Sequence, residues 1–86
     1  MHNTESLPEF PKRDGSMSVQ EQFALHMHRK RKILHLSQAQ LGFLVDTSQS
    51  AIARIEANRG NPTVDLIQKI ASALELECIL YVRPRP

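Results

Sequence analysis

The stretch LSQAQLGFLVDTSQSAIARIE, Leu36 to Glu56, sets two helical patterns of similar length around a turn-like DTS that holds neither glycine nor proline. Each pattern is about two turns long, and helices that short are marginal in water unless they pack on neighbours. A chain that stops one helix and at once begins another gives up length for geometry. Both helices must therefore lean on a shared core, at an angle set by the short turn between them.

The flanking residues supply that core. Ser37, followed three residues later by Gln40, has the spacing of a capping box and predicts a helix over Gln38 to Val45, with Leu41, Leu44 and Val45 facing inward. Asp46, Thr47 and Ser48 break it, and Ser48 is a good N-cap for a helix over Gln49 to Ala57 that sends Ile52 and Ile55 to the core. Asn58 tolerates the left-handed conformation wanted just past a helix end. RGNP reads as a loop, and Thr63 caps a further helix whose buried stripe is Val64, Ile67, Ile70, Ala71 and Leu74. Upstream, Val19, Phe23, Met27 and Leu34 recur at helical spacings and form one apolar stripe. Residues 1–17 mix two prolines, a glycine and scattered charges without a period, and read as a flexible arm. The organisation expected is an arm (1–17), a helical domain (18–76) and a C-terminal segment (77–86).

Composition restricts the function classes. The single Cys78 excludes an internal disulfide framework and any multi-cysteine metal site, and suits a reducing compartment such as the cytoplasm. No run approaches the roughly 20 apolar residues that span a bilayer, so no membrane role is expected. Net charge is only +2, but four of the eleven Lys and Arg are consecutive, Arg29 to Lys32, which suits either a solvated helix face or one turned to a polyanion. His26 and His28 are two residues apart and point to different helix faces, and no nucleophile, base and orienter gather; neither an enzyme nor a metal or other cofactor site is expected.

Two short helices joined by a tight turn let the second project from the domain with one face free. On the second helix that face carries Gln49, Ser50, Ala53 and Arg54. Glutamine and arginine make paired hydrogen bonds to adenine and guanine edges in the major groove, serine bonds either, and an alanine methyl can touch that of thymine. The face suits the reading of base pairs.

From Leu36 through Leu76 the sequence resembles the Xre/Cro-type helix-turn-helix family: leucine, Ser/Thr, Gln, two variable residues, leucine, then a Ser-started helix ending Ile-x-x-Ile-Glu and a later Asn-Pro-Ser/Thr. The resemblance implies a lambda-repressor-like, mainly α bundle of four to five helices that binds double-stranded operator DNA. It implies base reading by Ser48, Gln49, Ser50, Ala53 and Arg54, and phosphate contacts by Gln38, Thr47 and Arg59. It also implies an internal ion pair, Arg31 with Glu56, and a Gln38 that braces the recognition helix. Three positions depart from the pattern. Asp46 stands where the turn glycine is usual, Ala57 replaces a common asparagine, and Gly42 takes a small-residue position where alanine is commoner.

The end, ELECILYVRPRP, loses the helical period, and Cys78, Ile79, Leu80, Tyr81 and Val82 form a short run of strand formers before Arg83 and Pro84. A strand without a second strand in its own chain is expected to pair with its copy across a homodimer, with Cys78, Leu80 and Val82 inward and Ile79, Tyr81 and Arg83 outward. This tail is similar to that of HipB-type antitoxins, which repress their own operon and hold a HipA-type kinase toxin. The resemblance implies a bacterial cytoplasmic, nucleoid-associated antitoxin. A HigA-like antitoxin, a free-standing dimeric repressor and a protein-binding module without DNA binding remain alternatives.

Overall fold

Each helix among the described residues starts at a hydroxyl side chain that satisfies an otherwise free backbone donor. The computed structural model describes residues 18–79 and 84, among which lie α1 (Val19–Ile33), α2 (Gln38–Leu44), α3 (Gln49–Glu56) and α4 (Val64–Ala73). Ser18, Ser37, Ser48 and Thr63 are the four N-caps. At Ser18 and Ser37 the box is complete, because Glu21 and Gln40 reach back to the cap backbone at 2.8 and 2.7 Å.

The other ends share one solution as well. His35, Asp46, Asn58 and Glu75 all have φ near +60°, and each lies two residues past its helix. The following residue donates back to the last turn: Leu36 to Arg31 (3.0 Å), Thr47 to Gly42 (2.8 Å), Arg59 to Arg54 (2.8 Å) and Leu76 to Ala71 (2.8 Å). This is the Schellman arrangement, built here without glycine. Asp46 thus does the work of the glycine usual at the turn, in the left-handed conformation expected of it.

Met27, Leu41, Ile52, Ile70 and Leu74 are fully buried, one or more from every helix, and Val45 and Ile55 join them. Burying a side chain of this size contributes about 1.5–3 kcal/mol. Phe23, Leu34, Leu36, Leu66 and Leu76 pack around the cluster. Gly42 lets α2 meet the turn: a Cβ there would stand 2.9 Å from the Thr47 carbonyl oxygen and 3.1 Å from the Ser48 carbonyl carbon.

Four expected core residues are not in the core of the single chain, the half-buried Ile67 among them. Leu44 is 57% exposed, because Leu41 and Val45, one turn apart, take the inward face of the short α2 and leave Leu44 on its shoulder. Val19 (72%) and Val64 (66%) each occupy the first position of a helix, past the end of the core. With Ile79 they line an open apolar depression of about 260 Å³ whose walls include Phe23, Ile55, Pro62 and Ile67.

Of the proposed dimerisation strand, the described part, Glu77 to Ile79, is not a strand, and Cys78 is exposed rather than inward within one chain. Leu80, Tyr81, Val82 and Arg83 lie outside the described residues, as does the arm 1–17. No helix among the described residues is long and apolar enough to cross a membrane.

Candidate nucleic-acid interface

The projecting face follows from how α3 is seated. Ile52 and Ile55 are buried and the Glu56 side chain is turned inward, which leaves Gln49, Ser50 and Arg54 on the outward side of this short helix. Gln49, Ser50 and Arg54 are exposed and Ala53 is half-buried beside them. Ser48 is exposed too, but its Oγ accepts the Ala51 N–H at 3.0 Å, so the cap occupies one of its lone pairs. Thr47 is half-buried in the turn.

Gln38 links this face to the domain. The Gln49 Nε2 donates to the Gln38 Oε1 at 2.9 Å, and the Gln38 Nε2 donates to the Glu56 Oε1 at 3.2 Å. Glu56 is also gripped by α1. The Arg31 guanidinium forks onto it, Nε to Oε2 at 2.6 Å and Nη2 to Oε1 at 2.9 Å, while Nη1 reaches the Leu36 carbonyl at 2.7 Å. The His28 Nδ1 lies 2.9 Å from the same Oε1. Arg31 and Glu56 side chains are only 8% and 5% exposed.

The electrostatics favour the charged pair. Burial raises the pKa of the Glu56 carboxyl, but hydrogen bonds from Arg31, His28 and Gln38, with the Arg31 charge, outweigh it and hold it at about 2. The hydrogen bond to Glu56 likewise raises the pKa of Arg31 against the effect of burial. Desolvation and then the Arg29 charge lower that of the half-buried His26.

The basic tract divides. Arg31 is consumed by Glu56, and Lys30, Arg31 and Lys32 form the last turn of α1, where cations oppose the negative end of the helix dipole. The tract is thus in good part structural. Arg54 and Arg59 supply positive charge nearer the α3 face, both exposed. Gly60, at φ +76°, comes so close to Arg54 that a Cβ on it would sit 3.4 Å from the Arg54 Nη2. Ala57 is exposed at the end of α3 and has no polar side chain to offer a phosphate.

The structure therefore brings Gln38, Gln49, Ser50 and Arg54 to one region, with the ion pair behind them. The structure has the Arg31 and Glu56 pair and the Gln38 that braces α3, both implied by the resemblance; what sequence reading missed is that His28 and Gln38 share the Glu56 carboxylate. Those residues are 28 and 18 positions from Glu56, and no periodicity signals such a meeting.

No curated protein matched the sequence. The family model described as helix-turn-helix matches residues 27–78, from within α1 to past α4. Since that match covers more than half of the chain and contains the capped α2, the turn and the projecting α3, the chain belongs to the helix-turn-helix family, of Xre/Cro type, a family of DNA-binding transcription regulators.

Proposed function

We propose that the chain is a sequence-specific repressor that binds double-stranded operator DNA as a homodimer, with α3 in the major groove. The observation that carries this is the exposed polar row Gln49, Ser50 and Arg54, held from behind by Gln38 and the Glu56 carboxylate. Gln49, Ser50 and Arg54 read base edges with Ser48 and Ala53 beside them, and Gln38, Thr47 and Arg59 meet phosphates. A two-fold dimer then requires half-sites about 34 Å apart or a multiple of that. No reaction is assigned to the chain.

Selecting duplexes from a random pool, then titrating the winner and a scrambled duplex at several salt concentrations, tests the reading. Arg54→Ala should remove about 1–3 kcal/mol of discrimination between the two, whereas Arg59→Ala should weaken both alike and flatten the salt slope by about one unit. An Arg54→Ala loss equal on both duplexes would remove its base-reading role. Truncation after Leu76 should weaken dimerisation, and sedimentation of the shortened chain measures it; an unchanged dimer would place the interface on the helices.

The finer reading is a HipB-like antitoxin that autoregulates its operon in the cytoplasm, at the nucleoid. Its support is the similarity of the C-terminal segment to that of HipB-type antitoxins. Co-expression with the product of an adjacent kinase-like reading frame should give a complex. The absence of both frame and complex would leave a free-standing repressor.

A further inference from the structure

We propose that Glu56 is a positioning residue for base recognition: acting through Gln38, its carboxylate fixes the amide of Gln49 in the polarity that selects adenine over guanine. This rests on the DNA-binding reading above.

The argument is one of donors and acceptors. A carboxylate only accepts hydrogen bonds, and Glu56 stays ionised because Arg31, His28 and Gln38 hold its pKa down at about 2. Whichever end of the Gln38 amide faces it must therefore be the NH2, as the 3.2 Å contact has it. The Gln38 carbonyl oxygen is then the end that faces Gln49, and only an N–H of Gln49 can meet it, at 2.9 Å. One N–H and the Oε1 of Gln49 remain for DNA.

That pair is one donor and one acceptor. It complements adenine, which offers the N7 acceptor and the N6 donor, and not guanine, whose N7 and O6 both accept. Reversing the relay inverts the result. A Gln38 amide turned the other way would call for the Gln49 oxygen and leave the Gln49 NH2 free, a group suited to guanine. The polarity is set at Glu56, whose side chain is 5% exposed, so that water is poorly placed to substitute for it.

Duplex selection with the wild-type chain supplies the site, and Gln49→Ala shows which base pair loses its identity requirement. At that pair the wild type should prefer A·T over G·C. Glu56→Gln, an amide that can turn either end to Gln38, should reduce this preference by about tenfold and leave the preference at the pair read by Arg54 intact. In the Gln49→Ala background it should have no further effect at that pair. Where Glu56→Gln does not fold, Arg31→Met with Glu56→Leu removes the carboxylate without stranding a charge, and Gln38→Leu cuts the relay while sparing the ion pair; both should lose the same preference. Folded variants that keep the full adenine preference, or lose preference equally at every pair, overturn the inference alone. A wild type that prefers guanine at that pair also overturns it. A wild type that enriches no duplex overturns the DNA-binding reading, and this inference with it.

Discussion

Removing either half of the Arg31 and Glu56 pair should cost far more than a surface ion pair, and unequally. Glu56→Gln leaves a guanidinium with an 8% exposed side chain, whose one remaining strong partner is the Leu36 carbonyl at 2.7 Å. Breaking a buried pair in this way destabilises by about 3–5 kcal/mol. Arg31→Met leaves the carboxylate two donors, His28 at 2.9 Å and Gln38 at 3.2 Å. Since a hydrogen bond to a charged group is worth about 1.5–3 kcal/mol, part of the loss is recovered and about 2–3 kcal/mol remains. The double variant Arg31→Met, Glu56→Gln strands no charge and should lose under about 2 kcal/mol, so that the coupling is at least about 3 kcal/mol. In a domain whose whole stability is about 5–15 kcal/mol, Glu56→Gln should lower the melting midpoint by more than about 10 °C. Urea melts of the four proteins give the cycle. Additive losses, or losses under about 1 kcal/mol each, would refute the buried pair and place the two side chains in solvent.

Three further outcomes follow from the same structure. The Glu56 carboxyl is depressed from 4.5 to about 2, so its contribution is complete above about pH 4.5 and is lost as pH falls towards 2; a plot of melting midpoint against pH should drop over that window and do so less in Glu56→Gln. Glu75 holds φ +59° at the negative end of α4, so Glu75→Gly should relieve backbone strain and charge repulsion and stabilise by about 1 kcal/mol, read as a melting midpoint raised by about 4–8 °C. Gly42→Ala gains about 1 kcal/mol of helix propensity but drives a Cβ to 2.9 Å from a backbone oxygen; overpacking should win and leave a net loss of about 1 kcal/mol by denaturant melt, and a stabilised variant would show that the turn yields freely.

What the sequence discloses is what local bonding determines. Ser37, Ser48 and Thr63 read as caps because a hydroxyl three residues before a free N–H closes the same small ring in any fold, and the structure has all three. Asn58 reads as a left-handed terminus for a similarly local reason. Leu44, Val19 and Val64 read as core because each lies on an apolar stripe, but periodicity gives the direction of a side chain and not whether anything stands opposite it. The exposed polar face of α3 is legible as the side left over once Ile52 and Ile55 turn inward. The resemblance implied the Arg31 and Glu56 pair and a Gln38 that braces α3, and the structure has both; that Gln49, Gln38, Glu56 and Arg31 form one connected set depends on how three helices approach one another, and spacing along the chain carries no such information.

The network also answers why so short a helix can be aimed. Two buried isoleucines hold α3 against the core, but apolar contact is non-directional and tolerates a small roll about the helix axis. Hydrogen bonds at both ends of α3 remove that freedom. Gln49, its first residue, is tied to the first residue of α2, and Glu56, its last, is tied to both Gln38 and α1. The exposed Ser50 and Arg54 lie between these anchors, so any roll that moved them would stretch a bond at one end or the other. Hydrogen bonds weaken steeply with misalignment, and the one to the buried carboxylate has little water to replace it. The face that is free to meet another molecule is consequently fixed in direction at both ends of its helix, which is the requirement for discriminating between surfaces that differ by a single donor or acceptor.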